Sequence, residues 1–268
     1  MSLILFDSFW VGVHCVLKLI HQRNCFMIKF KKLYGEKKVV KIAVPIIDEN
    51  VENTLSIALL ENVDIIELRI DQFKSKDLAH ILDVIKKVKE KGFIALATVR
   101  SKLEGGADIP DEERLKIFSS IADYVDMVDI EYTSFRINKE VVDLYHSKGK
   151  AVIMSYHDFE KTPSDDYIQS IIDESKTLGA DIVKYAFKAN SFQDVARVMC
   201  ITHRNREKNL VAILMGEIGK VSRVVAPVFG SLITYTFIGQ SFAPGQIEVQ
   251  KLNELLEFFN IQKGWKLD

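Results

Sequence analysis

The chain has 268 residues, 48% hydrophobic and 27% charged, with a formal net charge of −1. A chain this long buries a core without disulfides or metal, and a near-neutral charge leaves no electrostatic footprint for nucleic acid, so the expected partner is a small molecule. Cys15, Cys25 and Cys200 have no CxxC spacing and the six histidines form no HExxH-like pair. That pattern argues against a disulfide framework or a zinc site and for reduced thiols in a cytoplasmic protein.

In chain order, residues 1–38 are set apart as an N-terminal extension and 39–268 as the folded domain. The first thirty residues are rich in Leu, Ile, Val and Phe, but Asp7, His14 and Lys18 interrupt the apolar runs. A membrane span is therefore not expected, and neither is a secretory signal, since a basic leading region and a small-residue cleavage site are both missing. Two readings remain, an amphipathic added helix or upstream sequence ahead of a start at Met27. The second is preferred, because Met27 leads directly into the first convincing strand.

From Val39 onward short apolar runs alternate with amphipathic stretches. The strand candidates are Lys41–Ile46, Asp64–Ile70, Phe93–Val99, Tyr124–Glu131, Ala151–His157, Asp181–Phe187, Leu210–Met215 and Ser231–Phe237. Nearly continuous Val, Ile, Leu and Ala marks strands covered on both faces. Helical periodicity appears over Asp77–Lys91, Asn138–Lys148, Asp165–Leu178 and Val249–Phe259, and Gly92, Gly149 and Gly179 fall where helices should stop. Eight strands alternating with helices predict one α/β domain, a (β/α)8 TIM barrel. The runner-up, an open doubly wound sheet, calls for a glycine-rich turn after the first strand, and Ile46–Asp48 has none.

A barrel gathers its active site at the C-terminal strand ends. The second strand ends Glu67-Leu-Arg69-Ile-Asp71, which places three charges on one inward face. They are either a Glu67–Arg69 structural pair or ligand contacts. The third ends at Arg100, followed by Glu104 and a Gly105-Gly106 pair expected to free the loop. His157 follows the fifth strand, as a satisfied core histidine or as a proton-transfer group. Lys184 lies inside the apolar sixth strand. It either reaches toward the rim or sits desolvated enough to act as a nucleophile. Beyond the seventh strand, Arg223 suits bidentate grip of a carboxylate. Beyond the eighth, Ala243-Pro244-Gly245-Gln246 forms a rigid turn presenting an amide.

Taken together, ELR, RSKLEGG, SYHDF, DIVKYA, MGEIGKVSR and APGQ, in this order and spacing, resemble the type I 3-dehydroquinate dehydratase family from about Val39 to the C-terminus. The resemblance implies a shikimate-pathway hydro-lyase that converts 3-dehydroquinate to 3-dehydroshikimate without metal or cofactor, working as a homodimer. It assigns the Schiff base to Lys184, acid/base duty to His157 and support of that histidine to Glu104. Glu67, Arg69 and Arg100 would contact substrate, Arg223 its carboxylate, and Gln246 would close the pocket. The sequence departs from the family twice. Phe242 stands where a Ser or Thr is usual before APGQ, so the hydroxyl contact is either lost or supplied by Ser241. The first strand ends Val44-Pro45-Ile46 where some relatives carry a serine. Two other readings of the residues compete, a class I aldolase and a non-catalytic ligand-binding barrel. The first lacks an evident phosphate cradle after strands seven and eight, and the second predicts loss of Lys184 or His157.

Overall fold

The computed structural model describes residues 40–261, and the expectations for the N-terminal extension lie outside them. Eight parallel strands run in the order β7-β6-β5-β4-β3-β2-β1-β8. They are β1 Lys41–Ile46, β2 Ile65–Arg69, β3 Ile94–Thr98, β4 Met127–Glu131, β5 Ala151–Asp158, β6 Ile182–Lys188, β7 Leu210–Met215 and β8 Ile233–Tyr235. The ends of this order meet through a parallel Leu210–Ser231 bridge and a hydrogen bond from Leu232 N to Leu210 O of 2.8 Å, closing a (β/α)8 barrel.

The helices are α1 Val51–Leu60, α2 Leu78–Glu90, α3 Asp111–Ile121, α4 Asn138–Ser147, α5 Asp165–Leu178, α6 Phe192–Arg204, the single turns α7 Gly216–Gly219 and α8 Ser222–Val225, and α9 Val249–Phe258. Their starts follow local chemistry. Asp77 accepts from Ala79 N and His80 N ahead of α2, Ser164 caps α5, and Ser191 with Asp194 forms a reciprocal capping box on α6. Gly179 ends α5 at φ 105°, a left-handed conformation that side chains avoid. Each long helix turns an apolar stripe to the strands, as α2 does with Ile81, Val84, Ile85 and Val88.

Strand alternation decides what faces the barrel interior. Val128 and Ile130 of β4 join the core shared with the helices, while Asp129 and Glu131 point inward. The register aligns these inward residues across neighbouring strands. Thr98 pairs with Asp129, Glu131 with Ser155, and Ser155 with Lys184. The lower barrel is thus filled by aliphatic side chains, and the C-terminal layers hold a concentrated set of charges.

Candidate active site

A cavity of about 200 Å³ opens at the C-terminal end of the strands. Its walls include Glu67, Arg100, Glu104, His157, Lys184 and Arg223. Every site residue expected from the sequence lines it except Ser241, so the reading that placed the unusual residues on one rim holds. A volume below the roughly 300–1,000 Å³ of drug-sized ligand sites fits a compact metabolite.

Lys184 is 3% exposed. Its ammonium donates to Asp129 Oδ2 at 2.9 Å and to the Tyr235 hydroxyl at 3.3 Å, lies 3.7 Å from Glu67 Oε1, and sits 4.4 Å from the Tyr235 ring centroid. Of the two sequence readings, rim-reaching is overturned and burial is right. The buried lysine is held among carboxylates. Burial opposes charge on Asp129, but Arg100 and Lys184 outweigh it and hold the carboxyl well below its ordinary range.

Arg100 NH1 donates to Asp129 Oδ1 at 3.0 Å, to Glu131 Oε1 at 2.9 Å and to Ser155 Oγ at 2.7 Å, while NH2 lies 4.0 Å from Glu67 Oε1. Burial works against its charge, yet Asp129, Glu131 and Glu67 raise its pKa well above the usual value. Arg100 therefore organises the acids around the lysine as well as lining the cavity. Glu67 also accepts from the Thr98 hydroxyl at 2.8 Å. The anticipated Glu67–Arg69 pair does not form. Arg69 is forked onto Asp71 through bonds of 3.0 and 2.8 Å. Asp71 has left the strand for a 3-10 turn over Ile70–Gln72, which brings its carboxylate back toward Arg69.

Glu104 meets His157 twice. One carboxyl oxygen accepts from the backbone N–H of His157 at 2.9 Å and bonds ring Nδ1 at 2.8 Å, and the other shares a hydrogen bond with the Thr133 hydroxyl, which the neutral carboxyl can donate. With Nδ1–H directed at Glu104, the Nε2 lone pair is left for the cavity that His157 lines. Burial, then Arg100 and Lys184, push the His157 pKa well below its usual value, so the ring is a neutral base. Burial and Glu131 raise Glu104 to about 8 against the opposing pull of Arg100. The two glycines after Glu104 do not free the loop, as the sequence reading had it. A Cβ on Gly106 would lie 2.0 Å from Arg100 O, and one on Gly105 would lie 2.9 Å from the Phe159 ring. They let the loop pack tightly enough to bring Glu104 under His157.

Arg223 is 3% exposed, and its Nε has no hydrogen-bond partner. Among the described residues its guanidinium makes no ion pair. Burial brings its pKa from 12.5 down to about 10. In the last loop Gln246 Oε1 accepts from Phe242 N at 2.7 Å and from Ala243 N at 3.2 Å. The Ser241 hydroxyl bonds Ala243 O and Gln246 Oε1, both at 3.0 Å. Phe242 thus lines the cavity, and Ser241 does not.

Asp129, Glu131, Ser155 and Tyr235 were not singled out from the sequence as site residues. Asp129 and Glu131 carry the signal that exposed Glu67, namely charged residues two apart at the end of an apolar strand. Tyr235 carried no such signal, because aromatic residues are ordinary in strands.

A closed (β/α)8 barrel whose mouth holds a buried lysine, a neutral histidine and an arginine that has no counter-ion among the described residues defines an enzyme acting on a small anionic metabolite. Residues 42–263 match the type I 3-dehydroquinase family. A 3-dehydroquinate dehydratase of Hydrogenobaculum sp. (strain Y04AAS1) is 40% identical over 223 residues, 83% of this chain and 100% of the relative. The crystal structure of the 3-dehydroquinate dehydratase from Aquifex aeolicus VF5 superposes with a TM-score of 0.75 at 37% identity, covering 82% of this chain and 99% of that one. The type I enzyme of Clostridium difficile, solved with covalently modified comenic acid, gives a TM-score of 0.75 at 28% identity, with coverages of 82% and 92%. The chain belongs to the type I 3-dehydroquinase family, a family of hydro-lyases. Membership at this identity removes the aldolase and binding-protein readings.

Proposed function

We propose that this chain dehydrates 3-dehydroquinate to 3-dehydroshikimate, its family's step in the shikimate pathway, through an imine on Lys184. The observation that carries the reading is a buried lysine hydrogen-bonded to Asp129 in a cavity that a neutral His157 also lines. Lys184 gives up its ammonium proton to add to the substrate ketone as the free amine, and the carbinolamine regains that proton as its hydroxyl leaves as water, giving an iminium, which acidifies the adjacent C–H. Asp129 and Glu67, already placed as counter-ions of the ammonium, face the same positive nitrogen in the iminium. His157 Nε2 takes the α-proton to give an enamine and returns a proton to the β-hydroxyl, which leaves as water. A second water hydrolyses the conjugated iminium, releasing product and amine, so the net change is loss of one water. Glu104 holds the ring and its tautomer. The unpaired Arg223 receives the substrate carboxylate, fixing orientation and lowering the entropic part of the barrier. Arg69 and Gln246 line the pocket where substrate hydroxyls would sit, and Phe242 contributes an apolar wall.

The resemblance also supports a cytoplasmic homodimer, and no helix among the described residues is long and apolar enough to cross a membrane. Borohydride reduction in the presence of 3-dehydroquinate tests the chemistry. Inactivation is expected, with the reduced ligand mass on the peptide carrying Lys184. A label on Lys188 instead, or continued turnover with no label, would overturn the imine mechanism.

A further inference from the structure

Behind the cavity, Arg114 of α3 is fully buried without lining the pocket. Its Nε donates to Val99 O at 2.9 Å, at the base of Arg100. NH1 donates to Ser134 Oγ at 3.0 Å and Asp111 Oδ1 at 2.9 Å, and NH2 bonds Glu131 Oε2. The other oxygen of Glu131 accepts from Arg100 NH1 and from Ser101 N at 3.0 Å. Arg100 in turn holds Asp129, and Asp129 holds Lys184. Five residues of alternating sign therefore run without a break from a helix on the outside of the barrel to the reactive amine. With Glu67, which faces both Arg100 and Lys184, three buried cations meet three buried acids, and the partly exposed Asp111 adds a fourth acid at the outer end.

From this geometry we infer that Arg114 is a positioning residue for the dehydration. It fixes Glu131, and through Glu131 and Arg100 it sets the placement of the Lys184 counter-ion and the charge balance felt at the His157–Glu104 pair. Packing alone would not require this arrangement, since an aliphatic side chain could fill the same space. Arg114 instead closes a series in which each buried charge is neutralised by its neighbours, and it is the member farthest from substrate. Burying such a series is tolerated only when every member is paired, so losing the end unbalances the rest. The groups that feel the change are those facing His157 and Glu104, namely Arg100, Lys184, Asp129 and Arg69 for the ring, and Arg100, Glu131 and Thr133 for the carboxyl.

The inference rests on the imine reading, and its test separates the two. Wild type is first titrated with borohydride and 3-dehydroquinate. Failure to label Lys184 there refutes the imine reading, whereas the comparisons below bear on Arg114. Arg114→Met removes one positive charge, so proton-bound forms gain and the acid limb of the pH–kcat profile should move upward. The expected shift is about one pH unit, as for one unit charge two ion pairs away at an effective dielectric constant of about 20. Turnover per borohydride-titrated site should fall about 10–100-fold with KM little changed, as loosened placement of reacting groups produces. Arg114→Lys should return the limb to its wild-type position while kcat recovers only partly, because an ammonium cannot reproduce the fork to Val99, Ser134 and Glu131. If Arg114→Met does not accumulate folded, Arg114→Lys decides alone, through reduced kcat at unchanged KM and an unmoved limb. A variant that loses thermal stability but keeps wild-type kcat per site and a wild-type pH limb would show Arg114 to be merely structural and overturn the inference.

Discussion

Replacing Arg223 by methionine should stabilise the empty protein and weaken its hold on substrate. Methionine conserves most of the side-chain volume and removes a buried cation that has no ion pair among the described residues. The fall in its pKa from 12.5 to about 10 corresponds to roughly 3 kcal/mol of destabilisation of the charged form. A cationic group with a depressed folded pKa carries that cost throughout the range below about pH 10, so it is in force at neutral pH. For a domain of this size 1 kcal/mol moves Tm by about 2–4 °C, which sets an upper bound near 10 °C and makes a rise of at least about 2 °C the expected result. Substrate binding should respond in the opposite sense. Losing a charge-assisted contact of about 1.5–3 kcal/mol raises KM about 10–100-fold. Thermal denaturation with and without a carboxylate ligand measures both effects on one sample. Ligand at about 100 times Kd should add about 2.7 kcal/mol of stability to wild type and much less to the variant. A lower Tm for the empty variant, together with an unchanged KM, would refute the assignment of Arg223 to the substrate carboxylate.

Glu104→Gln should retain turnover within about 10-fold at pH 7, because burial keeps the native carboxyl neutral up to about pH 8 and glutamine is its neutral isostere. The stability comparison has a definite sign. A raised carboxyl pKa contributes fully below the unfolded value of 4.5, and the contribution is lost as pH rises through about 8. The Tm of Glu104→Gln relative to wild type should therefore grow from pH 5 to pH 9, and a pH-independent difference would contradict the raised pKa. His157→Ala and Lys184→Ala should fail at different steps. The first loses about 10²–10⁴-fold in turnover and still accumulates a borohydride-trappable imine, whereas the second traps nothing. Trapping in Lys184→Ala, or normal turnover in His157→Ala, would reverse those roles.

Most of the barrel was legible because its strands are covered on both faces. The bounds of β1 and β7 coincide with their apolar runs, β5 extends one residue beyond its run, and β6 is shifted one residue toward the C-terminus. Strand β8 is shorter than Ser231–Phe237, since only Ile233–Tyr235 pairs along β1 while Ser231 makes an isolated bridge to Leu210. Helix α1 left a weak trace because its apolar residues are split between faces. Val51, Leu55 and Ala58 are buried, while Leu59 and Leu60 face outward. Residue types disclosed Lys184 inside an apolar strand, His157 at a strand end, and Glu104 and Arg223 in the turns just beyond strands. They did not disclose who partners whom. Arg69 takes Asp71 and leaves Glu67 to Thr98, Lys184 and Arg100, because Ile70 begins a 3-10 turn that the alternation of side chains does not foresee. Arg114 was invisible for the same reason. A lone arginine in an acidic helix start reads as solvent-exposed until the fold places it against Glu131.

The distribution of counter-ions explains how one cavity can hold so many charges and still act on an anion. The lysine, Arg100 and Arg114 are neutralised by Asp129, Glu131 and Glu67 before substrate arrives, so this cluster presents little net field to the ligand. In the proposed mechanism, conversion of the Lys184 ammonium to an iminium leaves one positive charge on the same nitrogen, so the acids fixed for the first state serve the second without moving. The proposed proton transfer between substrate carbon, imidazole and leaving hydroxyl is likewise internal to the pocket and needs no counter-ion from outside. The one charge the proposed cycle introduces is the substrate carboxylate, and among the described residues Arg223 is a wall cation without a counter-ion. A cavity with Arg223 paired as fully as Arg100 is would have no electrostatic reason to select an anionic substrate. A cavity with Arg100 as bare as Arg223 would leave Asp129 free to pull Lys184 away from the carbonyl.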